Sequence, residues 1–269
     1  MLKRIGQGQT AEIFRQDETS ILKLFREDFS EEAIQHEYDN ARIVMELGVK
    51  CPRTIDMITM DHRKGIIFEL VNGRTLLEEM MFKPWSIESR ARQMAALHYQ
   101  IHQQSGEQIN QKQKSVMKNN IASAIDLLDA EKEQIMDYVN SLPEGSSLCH
   151  GDFHPNNVIT GKEDYIIDWM TGTSGCPSAD VARTLVLLKY GNLPKGTPMT
   201  MRILLKMIKS KMRKAYLDHY LSLSSMDIRE IHRWVLPIAA ARLTEWIPTE
   251  EKTDLLDYIR NQLQKFNTT

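Results

Sequence analysis

Cysteine is scarce in this chain of 269 residues. Cys51, Cys149 and Cys176 are the only three, and they are scattered without pairing spacing. That excludes a disulfide scaffold and fits a reducing compartment. Long apolar runs are missing as well: none approaches the ~20 residues of a membrane span. The first ten residues, MLKRIGQGQT, contain no apolar leader core. Nor is there an excess of one charge. Lys and Arg number 34 against 36 Asp and Glu, a net charge of −2, so no general basic field draws in nucleic acid or anionic membrane. The expectation is a cytoplasmic protein without nucleic-acid or membrane partners. No GxxxxGK[ST] occurs, which excludes a P-loop, and no internal repeat or low-complexity tail is visible. What the chain does have is apolar material, 42% of its residues, enough for one large domain or two lobes. Its 15 methionines suit the filling of irregular cores.

The first seventy residues read as strands around one helix. Short strands are expected at 2–5 and 11–15, with Gly6-Gln7-Gly8 between them. Segment 20–25 alternates, Ile21, Lys23 and Phe25 on one face and Leu22 and Leu24 on the other. Ser30 can cap a helix whose first turn holds Glu31 and Glu32, where the helix dipole favours carboxylates. Ile34, Tyr38, Ala41 and Met45 form its apolar stripe, and it stops near Gly48. Strands follow at 54–60 and 65–70 around a charged turn. Beyond Val71-Asn72-Gly73 the pattern turns helical: 75–82, 86–104, 119–140 and most of 178–266, with a polar stretch at 105–118 and a short β region at 155–168. The fold class is α+β, a small mostly antiparallel lobe over 1–70, a hinge near 69–73, and a larger helical lobe over 71–269.

Lys23 falls on the face of its strand that the alternation turns inward. An ammonium there needs an anion, since an unpaired buried charge is costly. Glu37, three residues after Ile34 and four before Ala41, can face inward from its helix. The glycines at 6 and 8 let a strand–turn–strand backbone approach a phosphate closely. Strands on both sides separate this loop from a Rossmann turn, which opens a helix. A third glycine is missing, with Ala11 near its place.

The densest polar cluster is CHGDFHPNNVI, residues 149–159. Asn157 follows Asp152 by five residues, and eleven later Asp168 ends the apolar run Tyr165-Ile166-Ile167. One carboxylate and one amide carbonyl, with nucleotide phosphates, suit Mg²⁺, which takes oxygen ligands and keeps several waters. Asp152 is then free to accept a proton from a hydroxyl. Two other readings stand beside this one. His150, Asp152 and His154 alternate and would share a face on a strand, as a zinc site requires, although Gly151 and Pro155 disfavour an extended strand. The cluster can also be a turn with incidental polar residues. His98 and His102, one helical turn apart, are ligand candidates or packed histidines.

"HGDFHPNN" followed by "IIDW" resembles the catalytic signature of the aminoglycoside phosphotransferase and choline kinase-like family of small-molecule kinases. The likeness covers nearly the whole chain in order: glycine loop, strand lysine, helix glutamate, hinge, catalytic loop, metal aspartate. It implies a bilobal protein-kinase-like fold and an enzyme that moves the terminal phosphate of ATP or GTP to a hydroxyl of a small-molecule alcohol. In that family's terms Asp152 resembles the catalytic base, and Asn157 and Asp168 the Mg²⁺ ligands. Lys23, fixed by Glu37, would hold the α- and β-phosphates, and Gly6 and Gly8 would cover them. The backbone of Glu69-Leu70-Val71 would meet the adenine edge. His150 would brace the catalytic loop, and Asp180 would tie it down. Gly151 stands where protein kinases carry the arginine of their HRD motif, Trp169-Met170 replaces Phe-Gly, and no APE triplet follows. These departures favour a small-molecule kinase over a protein kinase. The alternative is a catalytically inactive kinase-like module that binds nucleotide or a partner.

The acceptor is expected to bind in the helical lobe, facing Asp152. A polycationic aminoglycoside would call for carboxylates, and Glu245, Glu250, Glu251, Asp254 and Asp257 are candidates, or else a solvated helix face. Against a polycation stands the basic stretch Arg202, Lys206, Lys209, Lys211, Arg213 and Lys214, itself an exposed helix face or a hint of a neutral or anionic acceptor. A choline-like acceptor would prefer an aromatic cage, for which Trp234 and Trp246 are available, a core role being open to each as well. A sugar-like acceptor is the third class.

Overall fold

The computed structural model describes residues 2–191 and 199–266. In chain order its strands are β1 (Lys3–Gln7), β2 (Ala11–Arg15), β3 (Ser20–Phe25), β4 (Thr54–Met60), β5 (Arg63–Glu69), β6 (Arg74–Thr75), β7 (Ser147–Cys149), β8 (Val158–Thr160), β9 (Asp164–Ile166) and β10 (Thr173–Gly175). The helices are α1 (Glu31–Glu46), α2 (Leu76–Phe82), α3 (Ile87–His102), α4 (Gln113–Ser123), α5 (Asp129–Ser141), α6 (Pro177–Tyr190), α7 (Met199–Leu223), α8 (Ile228–Arg242) and α9 (Thr249–Phe266). The chain packs as two units, residues 1–82 with 155–172, and residues 83–154 with 173–269. Residues 71–82 and 155–172, read from sequence as part of the helical lobe, pack with the first unit.

The first unit is built on an antiparallel sheet in the order β1-β2-β3-β5-β4. The alternation expected for β3 is real. Phe25 and the partly buried Ile21 join Ala11, Ile66 and Phe68 in a cluster that also takes Ile34 and Ala41 from α1, while Leu22 and Leu24 pack with Ile67 on the other face. Ser30 caps α1, its Oγ accepting from the Ala33 N–H at 3.3 Å. A second small sheet, β6-β8-β9, completes this unit. In it Val158 pairs with Ile166, and the Ile167 N–H donates to the Asn157 carbonyl at 3.0 Å. The two ends of the β8–β9 hairpin are therefore adjacent.

The second unit is mainly helical, with β7 and β10 as a two-stranded ribbon. Helices α3 and α7 pack along each other, as do α6 and α8, around fully buried Trp234, Tyr216 and Tyr220. The single helix expected over 119–140 is two, α4 and α5. The backbone turns extended at Ala124, and Leu128 begins α5 with its N–H held by Glu131 Oε2 at 2.9 Å. The polar stretch 105–118 is correspondingly less irregular than its composition suggests: α4 starts at Gln113, and Ile109 is buried. Periodicity alone cannot mark such a break, because both halves keep a helical period. Among the described residues no helix is long and apolar enough to cross a membrane. All three cysteines are free and buried.

At the centre of this unit lies an ionised carboxylate in a dry environment. Asp180 on α6 is wholly buried. Its Oδ2 accepts from the His150 N–H at 2.6 Å, His98 Nε2 at 2.9 Å and His102 Nε2 at 3.2 Å, and its Oδ1 from the Gly151 N–H at 2.9 Å. A carboxylate only accepts, so each imidazole carries its proton on Nε2. Nδ1 of His98 and of His102 then accepts from the hydroxyls of Tyr216 and Tyr220, each at 2.6 Å. Burial alone would raise the Asp180 carboxyl, but His98 and His102 hold it well below the usual range. Burial, then the adjacent His102 ring, pushes His98 down to about 3 against the pull of Asp180.

The unfolded chain takes up a proton on His98 near pH 6.5, whereas the folded protein does so only near pH 3. Both this and the depressed Asp180 make the unfolded state bind more protons, so stability is full above about pH 6.5 and is lost as the pH falls toward 3. Calorimetric unfolding near pH 5 should take up about one proton per molecule more in the native sequence than in His98→Gln, the share that His98 contributes against the proton Glu37 releases. His98→Gln should lower the melting temperature at pH 7 and flatten its pH dependence. An equally steep dependence in that variant would contradict the assignment.

Candidate active site

In the first unit the geometry begins at Lys23. Midway along β3, it lies opposite Ile13 on β2 and Ile66 on β5, and its ammonium stands 5.3 Å from the centre of the Phe25 ring. The carboxylate that burial demands is present twice. Lys23 Nζ donates to Glu37 Oε1 at 2.5 Å and to Asp168 Oδ1 at 3.0 Å. Glu37 is buried on α1, whereas the Asp168 side chain is 40% exposed. Burial alone would lower the Lys23 pKa, but Asp168 and then Glu37 raise it above the ordinary lysine value. Burial, with Asp168 as a second negative charge, lifts Glu37 to about 7 in spite of Lys23. Glu37 Oε2 is buried and has no hydrogen-bond partner among the described residues.

Asp168 follows β9 with φ 68° and ψ 62°, left-handed backbone that a non-glycine residue adopts only at a cost. The turn it opens is anchored by Asn40 of α1, whose Nδ2 donates to the carbonyls of Trp169 at 3.0 Å and Gly172 at 3.2 Å. Asn157, 6% exposed, precedes β8 at the same end of the hairpin. Asn157 and Asp168 thus share one end of a β-hairpin, with a carboxylate and an amide as donors. This is an oxygen set of the hard kind that Mg²⁺ takes, with few protein ligands and room for phosphate and water oxygens. Gly6 and Gly8 lie in and just after β1. The Gly8 N–H donates to the Ala11 carbonyl at 2.8 Å, closing the turn into β2. Glu69 ends β5, its N–H bonded to the Arg53 carbonyl at 2.9 Å, and the Leu70 N–H is bonded to Thr19 at 2.7 Å. Val71, half-buried, follows them.

The second unit carries Asp152. Its loop is held by one face of α6, at positions 180, 183 and 184. Asp180 takes the N–H groups of His150 and Gly151, Arg183 Nε donates to the Gly151 carbonyl at 3.0 Å, and Thr184 Oγ1 donates to the Phe153 carbonyl at 2.9 Å. The Asp152 N–H donates to His150 Nδ1 at 3.2 Å. Gly151 has φ +78°, a conformation glycine adopts freely and arginine does not. Two basic side chains flank Asp152: Arg183 Nη2 of α6 lies 3.4 Å from Oδ1, and His154 Nε2 lies 3.3 Å from Oδ2. Partial burial alone would raise the Asp152 carboxyl, but His154 and then Arg183 hold it well below the usual carboxylate range.

The structure rejects the zinc arrangement. Residues 150–154 are not a strand, and His150 is fully buried with Nδ1 engaged by backbone. Among the described residues the one group of three potential metal donors is His98, His102 and Asp180, and every donor atom there is already hydrogen-bonded. The aromatic cage fails too, since Trp234 is 1% exposed in the core whereas Trp246 is 75% exposed. Of the carboxylates proposed for a polycation, Glu245 is paired with Arg183 and Arg242, and Glu251 is buried against Arg242. Asp254 and Asp257 lie exposed on α9. In the basic stretch Lys206, Lys211 and Lys214 form a solvated face of α7, while the side chain of Arg202 lies outside the described residues. Arg183 was missed in the sequence. Its signal is the spacing Asp180, Arg183, Thr184, which puts three polar groups on one turn of an otherwise apolar helix.

No curated protein sequence matches the chain. Among solved structures, the chain is similar to a thermostable mutant of aminoglycoside phosphotransferase APH(4)-Ia in its apo form, with TM-score 0.67 and 14% identity over 100% of this chain and 96% of that one. It is also similar to the aminoglycoside-3'-phosphotransferase of type VIII, with TM-score 0.60 and 17% identity over 89% and 91%. A third is APH(3'')-Id from Streptomyces rimosus, with TM-score 0.57 and 15% identity over 89% and 92%. At such identities the likeness establishes the fold, which is protein-kinase-like, α+β, as the sequence motifs imply. The sequence profile of the phosphotransferase enzyme family matches residues 2–198, and the chain belongs to that family.

Proposed function

We propose that the protein is an ATP- or GTP-dependent O-phosphotransferase that moves the terminal phosphate to a hydroxyl of a small molecule, with Asp152 as the base that orients and deprotonates the acceptor. The observation that carries this reading is the buried ammonium of Lys23, bonded to Glu37 at 2.5 Å and to Asp168 at 3.0 Å. A lysine so placed is a fixed cation for phosphate oxygens, and Glu37 aligns it.

The other groups take matching roles. Asn157 and Asp168 hold Mg²⁺, which, when bound, neutralises the charge of the transferring phosphate. Gly6 and Gly8 cover the phosphates. The protein's own packing does not require glycine there, because a Cβ would meet Ile13 at 3.6 Å or Ala11 at 3.7 Å, ordinary contacts, and neither φ is positive. Room left open over an anion is a physical reason for both. The backbone of Glu69 and Val71 takes the base edge of the nucleotide, at the hinge between a nucleotide lobe, 1–70, and a catalytic and acceptor-binding lobe, 71–269. Support for a nucleotide also comes from relatives of the same fold: APH(2'')-Ib is described bound to ADP, and APH(2'')-IIa in a ternary complex with streptomycin and ATP. The acceptor is aminoglycoside-, amino-alcohol- or sugar-like.

Phosphoryl transfer is dominated by positioning and charge stabilisation. Asp152→Ala should therefore lose at least ~10²-fold in kcat, the low end for removing a general base, with the nucleotide KM little changed. In Asp168→Ala, Mg-dependent turnover should vanish and calorimetric binding of Mg·ADP should weaken, whereas Lys23→Met should weaken nucleotide binding and turnover together. Full activity of the purified Asp152 and Asp168 variants would reject the assignment.

A further inference from the structure

We infer that the acceptor is an uncharged, sugar-like polyol, held by the Arg183–Glu245 pair and the indole of Trp246, and not a polycation. This rests on the phosphotransferase reading above and narrows its acceptor.

The first reason is that the carboxylates near Asp152 are already occupied. Glu245 Oε1 lies 2.5 Å from Arg183 Nη1, and its Oε2 is bonded to Arg242 Nη1. Arg242 in turn reaches Glu251 Oε1 through Nε at 2.7 Å and Nη2 at 2.6 Å. The line from Asp152 through Arg183, Glu245 and Arg242 to Glu251 alternates in sign. Glu245 and Glu251 are thus already held by guanidiniums before any ligand arrives. An ammonium group would have to displace a guanidinium that is itself hydrogen-bonded on both sides. An anion would meet the carboxylate of Asp152, and the Arg183 beside it is already shared with Glu245.

The second reason is that the same groups suit hydroxyls. The Glu245 side chain is 33% exposed and that of Arg183 15%, so the pair is open at its Glu245 end. A carboxylate oxygen keeps a lone pair for an O–H donor, and a guanidinium keeps N–H groups for a hydroxyl oxygen. Neighbouring hydroxyls of a polyol satisfy both at once without displacing either partner of the ion pair. Trp246, next in the chain to Glu245, is 75% exposed. A large indole face in solvent is the apolar platform on which the C–H face of a sugar ring packs.

The test uses the full-length protein with Mg·ATP and Mg·GTP. Phosphate transfer is measured to D-glucose, maltose, myo-inositol, glucosamine, ethanolamine, choline, kanamycin and streptomycin. Transfer to at least one uncharged polyol should exceed that to kanamycin by about tenfold or more in kcat/KM. Kanamycin should give no binding isotherm in the presence of nucleotide. Trp246→Ala should raise KM for the favoured polyol about fivefold or more with kcat nearly unchanged, and leave the melting temperature unmoved because the side chain is exposed. Kanamycin or choline as the best acceptor would overturn the inference, as would nucleotide binding without transfer to any uncharged polyol, or an unaltered KM in Trp246→Ala. Failure to bind Mg·nucleotide at all would instead remove the phosphotransferase reading.

Discussion

An ammonium on the inward face of a sheet stays charged only if anions come to it, and the first unit is organised around meeting that need at Lys23. Glu37 must come from the middle of α1, which fixes how the helix lies on β3 and β5. Asp168 must come from the end of the β8–β9 hairpin, which fixes the turn that Asn40 then anchors through Trp169 and Gly172. The three charges do not cancel, since two carboxylates face one ammonium. One oxygen of Glu37 is buried without a partner, and Asp168 keeps left-handed backbone. Unpartnered oxygen, surplus negative charge and backbone strain coincide at one place. Such features persist where they serve a ligand better than they serve the fold, and a divalent cation with phosphate is the ligand proposed.

The second unit solves a different problem. A loop that holds Asp152 in place has backbone N–H and C=O groups that must be satisfied away from water. One turn of α6 does this through Asp180, Arg183 and Thr184, and α3 and α7 supply the histidines and tyrosines that keep Asp180 ionised. The left-handed Gly151 lets the chain turn so that two consecutive N–H groups reach one carboxylate. Arg183 reaches Asp152 from the helix.

Much of the first unit was legible because its signals are local. Alternation over 20–25 placed Lys23 on the core face, the helical period placed Glu37 on the same side, and the apolar run before Asp168 marked the strand β9, of which only Ile166 is buried. The second unit was legible only in part. "HGDFHPNN" located the loop, but nothing local says that Tyr216 and Tyr220, 118 residues from their histidines, complete the network, or that Arg183 and Arg242 occupy Glu245. Those pairings depend on how α3, α6, α7 and α8 pack. The division of 119–140 into two helices was hidden for a related reason: both halves are helical by pattern, and the break comes from backbone turned at Ala124.

Asp152 and Asp180 show why two carboxylates in one unit serve different ends. Both are held below the ordinary range, yet their surroundings differ. Asp180 receives four donors and is sealed off, so it has nothing left to offer a ligand and acts as a rigid anchor. Asp152 has side-chain partners at 3.3 and 3.4 Å and a side chain that is 30% exposed, so a hydroxyl from solvent can reach it. A depressed pKa makes a weak base, which would be a handicap if the acceptor had to be deprotonated early. In a loose transition state the nucleophile gains little bond order before the phosphoryl group has largely left its donor, and the proton need move only late. A carboxylate that is ionised, fixed and weakly basic is then well matched to aiming a hydroxyl, and the residues that hold it so are the ones that make the loop a folded element.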